Sequence, residues 1–319
     1  NGEAVRVLSR TVETGDVVIV WYDPDFSGKL YDPSQDVWLP MSSPGFTDTS
    51  LTAGAWTGEL LLAWGGNPGG RYDPAFDTWT PMPDTQGPES SLAAWTGNLA
   101  IAWGGPSEGA RYDPTLDQWS PMSAVGAPVA RYKPTSVWTG AEWIVYGGMV
   151  SYACVSNGAR YDPIADLWQP MANGYCTWDA NSVWTGSEMI VWGGFRTYGA
   201  FTSWNPVQTG GRYDPGTDSW TPTTVTGAPS ARGRHTQVWT GSEMIVWGRP
   251  AAQGRKTAGR YDPPSDSCAP TSTNDPRRAR ANHVARSSSA RKLLRTGESS
   301  RTTIPSIQGL ADSMSSGTT

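Results

Sequence analysis

The sequence predicts an all-β propeller of six four-stranded blades, and three observations carry that prediction. One repeat runs six times through the chain, with tyrosines at Tyr31, Tyr72, Tyr112, Tyr161, Tyr213 and Tyr261 spaced 41, 40, 49, 52 and 48 residues apart. Each copy divides into four strand-sized pieces separated by turn residues. The composition, with 37 Gly, 26 Pro and 18 Trp in 319 residues and a charged fraction of 17%, suits many short strands joined by turns. Repeats of this length in series mark solenoids and propellers, and four antiparallel strands per repeat select the propeller.

The fifth unit shows the pieces in order. Its first half is Val183-Trp-Thr-Gly-Ser-Glu-Met-Ile-Val-Trp-Gly-Gly194, and its second is Gly211-Arg-Tyr-Asp-Pro-Gly-Thr-Asp-Ser-Trp220. The piece before Thr-Gly is small and apolar. Thr-Gly makes a tight turn, where glycine supplies a positive φ. The apolar run Met189-Ile-Val-Trp192 is short and ended by glycines, which fits a strand buried on both faces. The third piece ends at the tyrosine, and Asp-Pro-x-x-Asp turns the chain. The fourth carries a tryptophan seven residues after the tyrosine. A lone four-stranded sheet cannot bury both faces, whereas rings of about 150–250 Å² can fill the space between neighbouring blades. The blades are expected near residues 5–41, 50–82, 90–122, 131–171, 179–222 and 233–270, in one propeller domain over 1–270.

A double glycine, a tyrosine, and a tryptophan seven residues later resembles the kelch repeat. Gly65-Gly66…Tyr72…Trp79, Gly104-Gly105…Tyr112…Trp119, Gly147-Gly148…Tyr161…Trp168 and Gly193-Gly194…Tyr213…Trp220 all match. The resemblance covers roughly residues 5–270 and departs at the ends. Unit one has Tyr22-Asp23 in place of the glycines, unit six has Gly248-Arg249, and Cys268 replaces the last tryptophan. Some kelch-like propellers resemble galactose oxidase, a copper radical enzyme needing two His, two Tyr and a Tyr–Cys crosslink near the axis. This chain has only His235 and His283, both at the same repeat position, so the resemblance is to that propeller without its copper site. No cofactor or metal is expected.

Charge divides unevenly. Residues 1–268 carry 16 Lys and Arg against 26 Asp and Glu, a net of −10, and residues 269–319 carry 8 against 3, a net of +5. An acidic body disfavours nucleic acid as partner, and no apolar run approaches the length of a membrane span. A monomer is expected. Few lysines, many tryptophans and a plausible cysteine pair point to a secreted or cell-surface protein, although no signal-peptide pattern is present.

Residues 271–319 contain no Phe, Trp or Tyr. Arg280-Ala-Asn-His283 stays in register with Arg232-Gly-Arg-His235, and the next strand should bring Val-Trp-Thr-Gly. The chain reads Arg286-Ser-Ser-Ser-Ala-Arg-Lys instead. This is a disordered Arg/Ser-rich tail or the frame-slipped remnant of a seventh repeat.

The aspartate pairs after each tyrosine lie at outer turns of every blade, so they are expected to close turns rather than to converge on calcium or acid–base chemistry. No nucleophile-elbow or sialidase-type box is present. Arg131 and Arg232 each follow a Gly-Ala-Pro turn, where they could line a ligand mouth or bind backbone carbonyls between blades. The connections from second to third strand lengthen in units four to six, and loops of repeat scaffolds carry function. Tyr152, Phe195, Tyr198, Phe201 and Trp204 lie in them, with Trp178 beside them. These rings could form a recognition surface, centred on Tyr198, Trp204 and Trp178, or fold back over the blade edge. Cys154 and Cys176 flank the same blade edge and are expected to form a disulfide. The function expected is non-catalytic recognition of a protein or glycan, with a carbohydrate-active oxidase or epimerase as the alternative.

Overall fold

The computed structural model describes residues 8–14, 17–23, 28–45, 53–65, 68–83, 92–104, 109–197, 204–248 and 257–271. These form strands and no helix, arranged as a six-bladed β-propeller of four-stranded antiparallel meanders. Blade one comprises Leu8–Glu13, Val18–Asp23, Gly28–Asp32 and Val37–Met41. Blade two comprises Ala53–Trp56, Leu61–Trp64, Gly70–Asp73 and Thr78–Pro81. Blade three comprises Leu92–Trp95, Ala100–Trp103, Ala110–Asp113 and Gln118–Pro121. Blade four comprises Thr135–Trp138, Trp143–Tyr146, Gly158–Asp162 and Leu167–Pro170. Blade five comprises Asn181–Trp184, Met189–Trp192, Gly210–Asp214 and Ser219–Pro222. Blade six comprises Thr236–Trp239, Met244–Gly248, Thr257–Asp262 and Ser267–Pro270. The first strands of consecutive blades run beside one another and so lie innermost.

Local chemistry makes each blade. At the Thr-Gly turns the threonine hydroxyl accepts the N–H three residues on, as from Leu60 to Thr57 at 2.9 Å. Gly58, Gly97, Gly140, Gly186 and Gly241 all take φ near +100° there, which a side chain would resist. The second strands of blades two to five are buried on both faces, as expected. One face packs on the blade before and the other on the blade after. Thus Ile19, Trp21 and Leu30 of blade one meet Leu61, Ala63 and Tyr72 of blade two. The same positions recur at every junction up to blades five and six, where Val183, Ile190 and Trp192 meet Met244, Val246 and Tyr261. Each such aliphatic side chain contributes about 1.5–3 kcal/mol when fully buried.

The aspartate pairs close the turns and do more. In all six blades the tyrosine hydroxyl donates to the second aspartate at 2.6–2.8 Å. That aspartate adopts a left-handed φ of 45–55°. Its carboxylate also accepts a backbone N–H from the segment leaving the preceding blade: Ser42 to Asp77, Ser123 to Asp166, Ala172 to Asp218 and Thr224 to Asp266. These bonds hold Asp77, Asp218 and Asp266 below the usual carboxylate range, the Ser42 N–H leading for Asp77, the Tyr213 hydroxyl for Asp218 and the Thr224 N–H for Asp266. A turn residue therefore doubles as a latch between blades, a role the repeat pattern alone did not reveal.

The tryptophan of the outer strand stacks on the same blade's tyrosine, with centroids 5.0–5.2 Å apart. It also leans on the preceding blade, as Trp119 does on Trp64 at 5.6 Å and Trp168 on Trp103 at 5.8 Å. Cys268 sits opposite Tyr261, in the register that Trp220 holds opposite Tyr213. Two hairpins not foreseen from the sequence rise from the long connections of units four and five. One pairs Met149–Val150 with Ala153–Cys154, and the other pairs Phe195–Thr197 with Trp204–Pro206. The expectations placed on residues 272–319, and on Tyr198 and Phe201, lie outside the described residues.

Candidate functional site

The segments that enter blades four, five and six read Arg131-Tyr132-Lys133, Thr177-Trp178-Asp179 and Arg232-Gly233-Arg234. Lys133, Asp179 and Arg234 share one left-handed backbone conformation, with φ of 48°, 53° and 54°, uncommon for residues with side chains. The segments are stitched to one another. Asp179 N–H donates to the Lys133 carbonyl at 3.1 Å, and Arg234 N–H donates to the Asp179 carbonyl at 3.4 Å. Their side chains repeat the pattern: Asp179 accepts from Lys133 Nζ at 3.1 Å and from Arg234 Nε at 2.9 Å. A largely buried carboxylate is thus flanked by two cations that reach solvent.

The two hairpins are built onto these segments. Tyr132 exchanges both backbone bonds with Met149, at 2.8 and 2.9 Å, and Trp178 exchanges both with Phe195, at 3.1 and 2.9 Å. Cys154 N–H donates to Thr197 Oγ1 at 3.1 Å, which ties the first hairpin to the second. Cys154 and Cys176 form a disulfide, with Cα atoms 5.4 Å apart, inside the separation a bridge requires. Arg196 secures the far side, with Nε donating to the Cys176 carbonyl at 3.2 Å and the guanidinium 5.4 Å from the Tyr175 ring centroid. At Gly233 any Cβ would collide with the Phe195 ring, so glycine is required there.

The tip of the first hairpin is the two-residue turn Ser151-Tyr152, with φ of 48° and 66°. Positive φ at both positions belongs to type I′ turns, where Asn-Gly is the usual choice. A tyrosine there is held against its preference, and the residue is 74% exposed. Tyr132, 55% exposed, pairs with Met149 at the base of this hairpin, with Lys133 Nζ 5.8 Å from its ring centroid. The surface over blades four to six therefore presents Tyr132, Tyr152, Lys133 and Arg234 on a braced platform.

The predicted residues divide. Tyr152 is at the surface. Trp178 is a correction: expected at the centre of the surface, it is 1% exposed, clamped between Tyr132 at 6.2 Å and Phe195 at 5.1 Å, and forms the floor. Phe195 is half-buried, and of Trp204 only the strand position is described. Of the two readings open for Arg131 and Arg232, the structure shows both side chains buried and turned to backbone. Arg131 Nη1 donates to the carbonyls of Gly147 and Asn157, and Arg232 Nη1 to those of Gly248 and Thr257. Burial pulls Arg131 down to about 10, which leaves it cationic at neutral pH, and it lowers Arg232 as well. Lys133, Asp179 and Arg234 were missed. Aligning the entry segments in one column would have exposed them as three charged residues at one repeat position.

His235 lies beneath the platform, buried and edge-on to Trp192 at 5.3 Å. Burial pushes its pKa down to about 4, against a partial offset from Gln237, whose Oε1 is 3.3 Å from Nε2. The unfolded chain takes up this proton near pH 6.5, while the folded protein refuses it until about 4. Stability therefore falls as pH drops through that interval. Urea midpoints between pH 7 and 4.5 should fall for the parent protein and fall less steeply for His235→Gln. Equal slopes would refute the burial argument.

Among the described residues, no three His, Cys, Asp or Glu side chains are grouped to hold a metal, and no helix is long and apolar enough to cross a membrane. A cleft between blades five and six, lined by Glu188, Arg212, Trp239 and Asp262, lies at the Thr-Gly turns. Its Arg212–Pro263 bond has a counterpart one junction earlier in Arg160–Pro215, so it reads as part of the repeat. No family model matches this chain, and no curated protein matches it.

Proposed function

We propose that this propeller is a kelch-like recognition module that binds a protein or glycan through the platform over blades four to six, without catalysis. The observation that carries the reading is Tyr152, an exposed aromatic held in a left-handed turn. Its hairpin is anchored by a disulfide and by strand bonds to the blade entry. Strained, braced, exposed rings suit binding: they lose little entropy when a ligand arrives. Tyrosine beside accessible cations supplies apolar faces with directed donors, which serves glycan rings and protein surfaces alike. The disulfide also supports a secreted or cell-surface setting, where such bonds persist.

The test is to probe a glycan array and an array of extracellular protein ectodomains with the purified chain. Tyr132→Ala and Tyr152→Ala should each weaken the binding found by tenfold or more, about 1.4 kcal/mol, with unchanged melting temperatures. Binding that survives both substitutions, or no binding to either array, would remove the proposal.

A further inference from the structure

The repeating junction is described five times and should occur once more, between blade six and blade one. There the described residues form no comparable core: the buried clusters join one to two, two to three, three to four, four to five and five to six. Among the described residues, the innermost strands of blades six and one also pack less closely than every other consecutive pair.

Side chains on the two flanks agree. On the forward face of the second strand, Leu62, Ile101, Ile144 and Ile190 are fully buried by the following blade, whereas Ile245 of blade six is only half-buried. On the backward face of the outer strand, Trp168 is buried and Trp79, Trp119 and Trp220 partly so, whereas Trp38 of blade one is 53% exposed. Near the axis Val18 and Val20 are buried, so the opening lies toward the rim.

The sequence states what belongs there. Arg131 and Arg232 each stand ten residues after the proline that ends the preceding blade, Pro121 and Pro222, and each binds carbonyls of the blade that follows. Arg280 stands ten residues after Pro270, and His283 repeats His235. The register thus announces another blade at the position where the junction is missing. We propose that the gap between blades six and one is the docking slot for a seventh blade of this same repeat, entered at Arg280.

Two measurements test it. In the chain as it stands, Trp119→Ser should lower the melting temperature clearly and Trp38→Ser by less than half as much. Equal losses would mean that the Trp38 face is already covered, and would overturn the proposal. In the second, residues after His283 are replaced by a copy of residues 236–271. The melting temperature should then rise by several degrees, amide exchange in 37–41 and 244–248 should slow on the order of tenfold, and Trp38→Ser should become as costly as Trp119→Ser. An extended chain that gains no stability, or does not fold, overturns the proposal. So does a dimer of the present chain that Trp38→Ser dissociates, since a second copy would then be the occupant.

Discussion

Removing the bridge by Cys154→Ala with Cys176→Ala should lower unfolding stability by about 3 kcal/mol. The two cysteines are 22 residues apart, and closing a loop of that length removes about this much chain entropy from the unfolded state. The loss should not be confined to the global transition. Cys154 ends the short hairpin that carries Tyr152, and besides the bridge that hairpin is held by Tyr132–Met149 and Cys154–Thr197 bonds. Without the bridge the tip should exchange amide hydrogens faster than the blades beneath it, and ligand affinity should fall with the loss of pre-organisation. Denaturant midpoints with and without dithiothreitol give the check: reductant should bring the parent protein down to the double variant and leave the variant unmoved. A parent protein indifferent to reductant, with free thiols at both positions, would remove the bridge and with it the support for an oxidising compartment.

Cys268→Trp should stabilise the protein by about 2 kcal/mol, less than the loss of a large ring costs a fully buried core. The estimate sits low because the corresponding Trp79, Trp119 and Trp220 are only partly buried. Polar geometry favours the change as much as volume does. Trp79 Nε1 donates to the Ser42 carbonyl at 2.8 Å and Trp220 Nε1 to the Ala172 carbonyl at 2.9 Å. Cys268 Sγ lies 4.0 Å from the Thr224 carbonyl, the matching acceptor of the sixth junction. A tryptophan there would stack on Tyr261 and meet an acceptor already in place. Calorimetry should show a melting temperature raised by several degrees, and an unchanged or lower value would count against the slot.

The blades were legible because six copies reinforce one another: a weak turn signal at Thr57-Gly58 becomes strong when Gly97, Gly140, Gly186 and Gly241 repeat it. The site was legible only in outline. Long connections pointed to the face over blades four to six, but whether a ring in them is exposed depends on what folds over it. Trp178 looked like Tyr152 in sequence and differs because Phe195 and Tyr132 close on it. Lys133, Asp179 and Arg234 are separated by 46 and 55 residues and meet only through the stacking of three blades. Arg131 and Arg232 offered two readings in sequence, a ligand mouth or a backbone anchor, and in the structure both donate to backbone carbonyls.

Among the described residues, Tyr–Asp latches and cores shared by adjacent blades make this molecule a series of nearest-neighbour couplings. In such a system the free energy is close to a sum of unit and interface contributions, and cooperativity is carried from one interface to the next. Damage at one junction then lowers the survival of the two units beside it and fades with distance. Tyr132 and Tyr152 belong to the fourth unit, which is supported from both sides. An interior location lets the exposed rings and their strained turn persist when a distant junction is disturbed.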